Sequence, residues 1–292
     1  MELHHLRVRA GDLTFGTLTW GPDDGPLALC LHGYPDSAWT WRHLGPVLGE
    51  RGWRVVAPWT RGYAPTDLAP DGAYGPGAMA RDALELWRVL GGDERAVLIG
   101  HDWGAVTAYL AAAHRPERWA RVVTLAVAPG PALAAVRDPR LIARQLRMSW
   151  YMAFQCVPGV SEARLGSLIA RLWRDWSPGY DARENVARLW EALPDGAHRT
   201  AALRYYRAFF LPWMRSARYA AEEQHIWRVP PQPTLYLHGD EDGAFGVDRI
   251  AGSADALAPG SRVDVVTGTG HFLHLERPDD LNARIVDWLT TG

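Results

Sequence analysis

The 292-residue sequence predicts an α/β fold, a mostly parallel sheet flanked by helices with a helical segment inserted near its middle. Three observations carry that reading. Short continuous apolar runs at 27–31, 53–58, 97–99 and 122–127 alternate with stretches of helical spacing, as strands covered on both faces require. From about Pro129 through Val229 the alternation stops, and helical periodicity, Arg-rich faces and many aromatics replace it without a clear strand. After Pro230-Pro231-Gln232-Pro233 the alternation resumes. The expected division is a core from 1–129, a helical cap from 130–229 and the rest of the core from 230–292.

In order, residues 2–20 alternate apolar with polar and break near Gly11-Asp12, which predicts an antiparallel hairpin. The run at 27–31 ends in His32-Gly33-Tyr34-Pro35, and a helix is expected over 39–49. The strand at 53–58 leads into the loop Arg61-Gly62-Tyr63-Ala64-Pro65-Thr66-Asp67. Helical spacing over 76–90 is stopped by Gly91-Gly92. The strand at 97 runs through a tight turn into a helix ended by Pro116, and 122–127 forms one more strand. Past the insert come a strand at 234–238, a helix near 248–257, a strand at 263–266 and a last helix over 279–289. Ligands in such sheets bind outside the carboxyl ends of the strands, so the insert should roof the site.

Composition narrows the function classes. Net charge is −2, and no basic cluster with interleaved aromatics stands out, which argues against nucleic acid and anionic membranes as partners. No apolar leader region or transmembrane-length stretch is present, so a cytoplasmic enzyme is expected. Cys30 and Cys156 read as small buried hydrophobes rather than a disulfide framework. All 31 basic residues are Arg, which suits surface ion pairs and carries no functional reading. The sequence leaves room for a homo-oligomer.

The chemistry is organised around Gly100-His101-Asp102-Trp103-Gly104, at the turn between strand and helix. This is the setting of a nucleophile elbow, with Asp102 where Ser would stand. Glycines two residues to either side admit backbone too close for a Cβ. A carboxylate there attacks an sp3 carbon and needs no base to become a nucleophile. His271, in Gly268-Thr269-Gly270-His271-Phe272, follows the last strand. The acid lies in Gly239-Asp240-Glu241-Asp242, where Gly-x-x-Asp counting selects Asp242 over Asp240 and Glu241. Nucleophile, acid and His in that chain order are expected of an α/β-hydrolase fold. The oxyanion donors would be the backbone N–H groups of Trp103 and Tyr34. His32, His101 and His274, each at an element end, read as structural hydrogen-bonders.

With His32-Gly33-Tyr34-Pro35-Asp36-Ser37, Arg61-Gly62-Tyr63, the elbow and Ser149-Trp150-Tyr151, the chain resembles the epoxide hydrolases of the α/β-hydrolase superfamily from about residue 3 to 290. The resemblance implies an apolar epoxide and water as substrates, with no cofactor and no metal. It implies two cap tyrosines that hydrogen-bond the epoxide oxygen: Tyr151, ahead of Pro158-Gly159, and Tyr206, in Tyr205-Tyr206-Arg207. Tyr205 competes with Tyr206, and on a helix only one of the two can face the pocket. Trp150 and Phe154 are candidate pocket residues. Trp59-Thr60 and Ala64-Pro65-Thr66 depart from the family pattern and bear on substrate shape.

Two other readings compete. A haloalkane dehalogenase shares the Asp nucleophile but needs two N–H donors for the halide, one from the Trp103 indole and a second that a cap Trp such as Trp150 would supply. A non-catalytic receptor on the same fold has no need of a complete nucleophile–acid–His set.

Overall fold

The computed structural model describes residues 2–291. Eight strands form one sheet: β1 (His4–Ala10), β2 (Leu13–Trp20), β3 (Leu27–Leu31), β4 (Arg54–Pro58), β5 (Val97–His101), β6 (Arg121–Leu125), β7 (Thr234–Gly239) and β8 (Arg262–Val266). Their spatial order is β1-β2-β4-β3-β5-β6-β7-β8. The first two make the expected hairpin, with Ala10 opposite Leu13, and β2 runs antiparallel to β4. All later pairings are parallel. The α/β fold class is therefore the one observed.

The unbroken apolar runs are explained by burial on both faces. Ala28 and Cys30 of β3, with Val97 and Ile99 of β5, enter one core. Their neighbours Leu27, Leu29, Leu31 and Leu98 enter the other, as the two-residue period of a strand requires. On that second side lie the helices Pro76–Val89 and Trp103–His114, which supply Ala80, Ala83, Leu84, Ala108 and Leu110. The last helix, Pro278–Thr290, covers the first side with Leu281, Ile285 and Trp288.

Several expected elements are shorter than their sequence pattern. The helix expected over 39–49 is a 3-10 turn, Ala38–Trp41, and a separate helix, Leu44–Gly49. The helix expected over 248–257 is likewise a 3-10 turn, Val247–Arg249, followed by Ser253–Ala256, with Gly252 left-handed between them. The strand expected to reach Val127 stops at Leu125, because Ala126 turns to φ 67° after a last N–H bond to the Leu237 carbonyl at 3.0 Å. Cys30 is fully buried as expected, whereas Cys156 is only half-buried, and neither is in a disulfide.

Between β6 and β7 the described residues form helices and no strand. The main ones are Pro139–Met148, Trp150–Gln155, Leu165–Trp176, Arg183–Ala192 and Gly196–Phe210. They sit on the carboxyl ends of the strands and are tied there by specific contacts. The Trp173 indole donates to the Pro35 carbonyl at 2.9 Å, and its ring stacks on Phe272 at 3.5 Å. Ser177 donates to Glu276 at 2.6 Å. Tyr205 donates to the Arg61 carbonyl at 2.7 Å and lies 3.1 Å from Thr60 Oγ1.

Candidate active site

Asp102 stands at the end of β5 with φ 52° and ψ −117°, a conformation that L-residues avoid. Neighbouring glycines make the turn possible. A Cβ on Gly104 would meet the Leu31 carbonyl oxygen at 2.0 Å, and one on Gly100 the Gly104 oxygen at 2.2 Å. Gly33, in the His32–Ser37 motif, makes equal room: a Cβ there would lie 2.5 Å from Asp102 Oδ1.

The carboxylate is held from two sides. Tyr34 donates its backbone N–H to Oδ1 at 2.8 Å, which places that N–H where an oxyanion donor is needed. Oδ2 lies 3.6 Å from His271 Nε2, an ion-pair distance too long for a hydrogen bond. Trp103 is the first residue of the following helix, so its N–H has no partner four residues back. Behind the imidazole, Asp242 Oδ2 takes His271 Nδ1 at 2.9 Å. Its other oxygen accepts the backbone N–H groups of Ala244 and Phe245 at 2.7 and 2.9 Å. Asp240 instead accepts from the Gly268 N–H near the surface, and Glu241 is exposed.

Burial alone would push the His271 ring down, but the charges of Asp242 and then Asp102 outweigh it and raise it to about 10. In the resting protein the imidazole is therefore a cation between two carboxylates. Its folded pKa exceeds the reference 6.5, so this ion triad stabilises fully below 6.5 and its contribution is lost as pH rises through about 10. NMR of the His271 ring should show titration near 10, moving down in Asp102→Asn where one of the two charges is gone. Titration near 6.5 in both proteins would contradict this account.

Above the triad is a cavity of about 250 Å³ lined by Asp102, His271, Tyr151 and Tyr206. Its walls are otherwise almost wholly apolar, with Met152, Phe209 and Leu133 among them. The two tyrosine rings approach at 5.7 Å and 83°. Burial, and the negative charge of Asp102 close by, hold both phenols well above their ordinary range, so both carry their protons. The Tyr206 hydroxyl is buried with no hydrogen-bond partner. Tyr205, one residue away, points out of the cavity and spends its hydroxyl on Arg61 and Thr60. Thr60 is one of the departures from the family pattern, and it receives this anchor.

Two expected pocket residues are corrected. Trp150 and Phe154 do not line this cavity. On the short helix Trp150–Gln155, Tyr151 and Gln155 form the buried stripe. Trp150 and Phe154 share another flank, with rings 6.0 Å apart and Arg171 over Trp150. The lining that sequence reading missed includes Phe209, Phe210, Trp227 and Phe245. Phe209 and Phe210 follow Tyr206 at helical spacings of three and four, a signal that was available.

The family described as alpha/beta hydrolase fold matches residues 26–278. The chain is an α/β-hydrolase. Among the relatives of this hydrolase, Epoxide hydrolase A of Mycobacterium tuberculosis is 28% identical, over 92% of each chain. Epoxide hydrolase 2 of Siraitia grosvenorii is 29% identical, over 99% of this hydrolase and 98% of the relative. Among solved structures, Epoxide Hydrolase A from Mycobacterium thermoresistibile superposes with a TM-score of 0.79 at 26% identity, covering 99% and 98% of the two chains. No described helix of this hydrolase is long and apolar enough to cross a membrane.

Proposed function

We infer that the protein is an epoxide hydrolase, in which residues 130–229 act as a cap that brings two tyrosines over the nucleophile. The observation that carries this is the presence of Tyr151 and Tyr206 in the wall of the cavity that holds Asp102 and His271. The relatives bearing that name over nearly their full length support it.

Asp102 Oδ2 attacks one ring carbon, the C–O bond breaks and an alkoxide develops. Phenols suit that oxygen, since they donate hydrogen bonds and a proton without being ionised beforehand. The product of this half-reaction is a hydroxyalkyl ester of Asp102. Esterification also removes one of the two charges that hold the proton on His271. The imidazolium then gives that proton to the oxygen side and becomes a neutral base oriented by Asp242. It deprotonates a water that adds to the ester carbonyl, while the N–H groups of Tyr34 and Trp103 receive the oxyanion. Collapse releases the diol and restores the Asp102 carboxylate and the His271 cation.

The dehalogenase reading loses support. Its second indole donor, Trp150, lies outside the cavity, and Trp227 is 58% exposed. Purified protein should form diol from an aryl epoxide and release no halide from a bromoalkane; halide without diol would sink the proposal. If Tyr151 and Tyr206 share one oxygen, each single Phe variant should lose about tenfold in kcat/KM. The double variant should lose on the order of a thousandfold, more than the product of the two. Simple multiplication of the single losses would mean that the two hydroxyls act independently.

A further inference from the structure

Directly behind His271 lies a second polar cluster that the proposed mechanism does not use. Asp36, His101 and His274 are 1%, 0% and 4% exposed. Each offers one ligating atom, and the three lie within 4.8 Å of one another. Asp36 Oδ2, His101 Nδ1 and His274 Nδ1 all lack a hydrogen-bond partner in the protein. Three unpartnered polar atoms, on buried side chains this close together, are too unfavourable to be left unmet.

We propose that Asp36, His101 and His274 form an internal site for one water molecule, and that this water fixes His271 through the His101 ring. Spacing and donor chemistry both bear on whether water or a metal ion would sit there. A transition metal about 2.1 Å from each ligand needs ligands about 3.4 to 3.6 Å apart, whereas a water about 2.8 Å from each partner needs them roughly 4.6 Å apart. His101 Nδ1 and Asp36 Oδ2 are 4.0 Å apart, between the two values, so the donor chemistry rather than the spacing decides. Ions large enough to span the gap take oxygen ligands, and two of these three are nitrogens.

The hydrogen-bond pattern agrees. His101 Nε2 lies 3.0 Å from the His271 carbonyl, which can only accept, so Nε2 carries the proton and Nδ1 of the neutral ring is an acceptor. That excludes an anion. Asp36 Oδ1 already accepts the Ser37 N–H at 2.8 Å, leaving Oδ2 for a second donor. His274 Nε2 sits 2.6 Å from Thr40 Oγ1, which leaves Nδ1 as the nitrogen without a partner. One water can donate to His101 Nδ1 and to Asp36 Oδ2, with His274 Nδ1 as its third partner, the number of bonds usual for a buried water. Burial holds both rings well below their ordinary range and raises the Asp36 carboxyl to about 7, so at most the one Asp36 charge is present to repay a desolvated cation. His101 passes the constraint on: its ring lies 4.8 Å from the His271 ring, and its N–H holds the His271 carbonyl.

A crystal structure of the wild-type protein should show one density peak about 2.6 to 3.2 Å from all three atoms. A zinc soak should leave no anomalous signal there. A zinc peak, or no density at all, would overturn the site. The positioning role rests on the epoxide hydrolase reading and is tested separately on an aryl epoxide. His274→Leu should lower kcat about tenfold with KM little changed, and His274→Gln, which keeps polar atoms there, should recover most of the loss. Wild-type kcat in the Leu variant, or equal losses in both, would overturn that role. If wild-type protein opens no epoxide, the functional reading fails while the density result still judges the site.

Discussion

Exchanging Asp102 for Asn is expected to abolish diol formation, with a loss of about ten-thousandfold or more and an unchanged fold. Asn preserves the volume and keeps an oxygen to accept the Tyr34 N–H, a bond of 2.8 Å in the native site. Only the negative charge goes, and with it the nucleophilicity that lets the oxygen attack carbon. The same exchange removes one of the charges that raise His271. Loss of activity should therefore come with a downward shift in the His271 titration. Unchanged diol formation in Asp102→Asn would require a different nucleophile, or direct attack by water.

Exchanging His271 for Gln is expected to stop the cycle half-way. The attacking carboxylate and the two phenols remain, so the ring still opens, but nothing takes the proton from the hydrolytic water. Intact-protein mass spectrometry after mixing with an aryl epoxide should show a mass increase of one substrate per chain, mapped by proteolysis to the peptide with Asp102. Steady-state turnover should fall about a thousandfold. An inactive variant that never gains mass would count against covalent catalysis.

Much of the fold and of this site is legible in the sequence, for a physical reason. The elbow depends on local backbone demands: Gly100 and Gly104 are needed because carbonyl groups occupy the space of their missing Cβ atoms. Asp242 and His271 lie at strand ends, where the sheet order brings them together without long side-chain excursions. The pocket wall is different. Whether Trp150 or Tyr151 faces inward depends on how a six-residue helix is rotated against its neighbours, and aromatic content alone does not encode that rotation. The split helices at 38–49 and 247–256 follow from turns whose conformation is set by packing rather than by hydrophobic period.

Tyr205 and Tyr206 are adjacent on one helix, yet one is fastened to the Arg61–Thr60 loop and the other faces the cavity. Swinging the helical roof away from the sheet would break the first contact and carry the second phenol out of reach of Asp102 in the same movement. An enzyme built this way does not gain by working as a jaw. Substrate and product are then expected to pass by Phe210 and Trp227, cavity-lining residues that are 46% and 58% exposed, with the roof left in place.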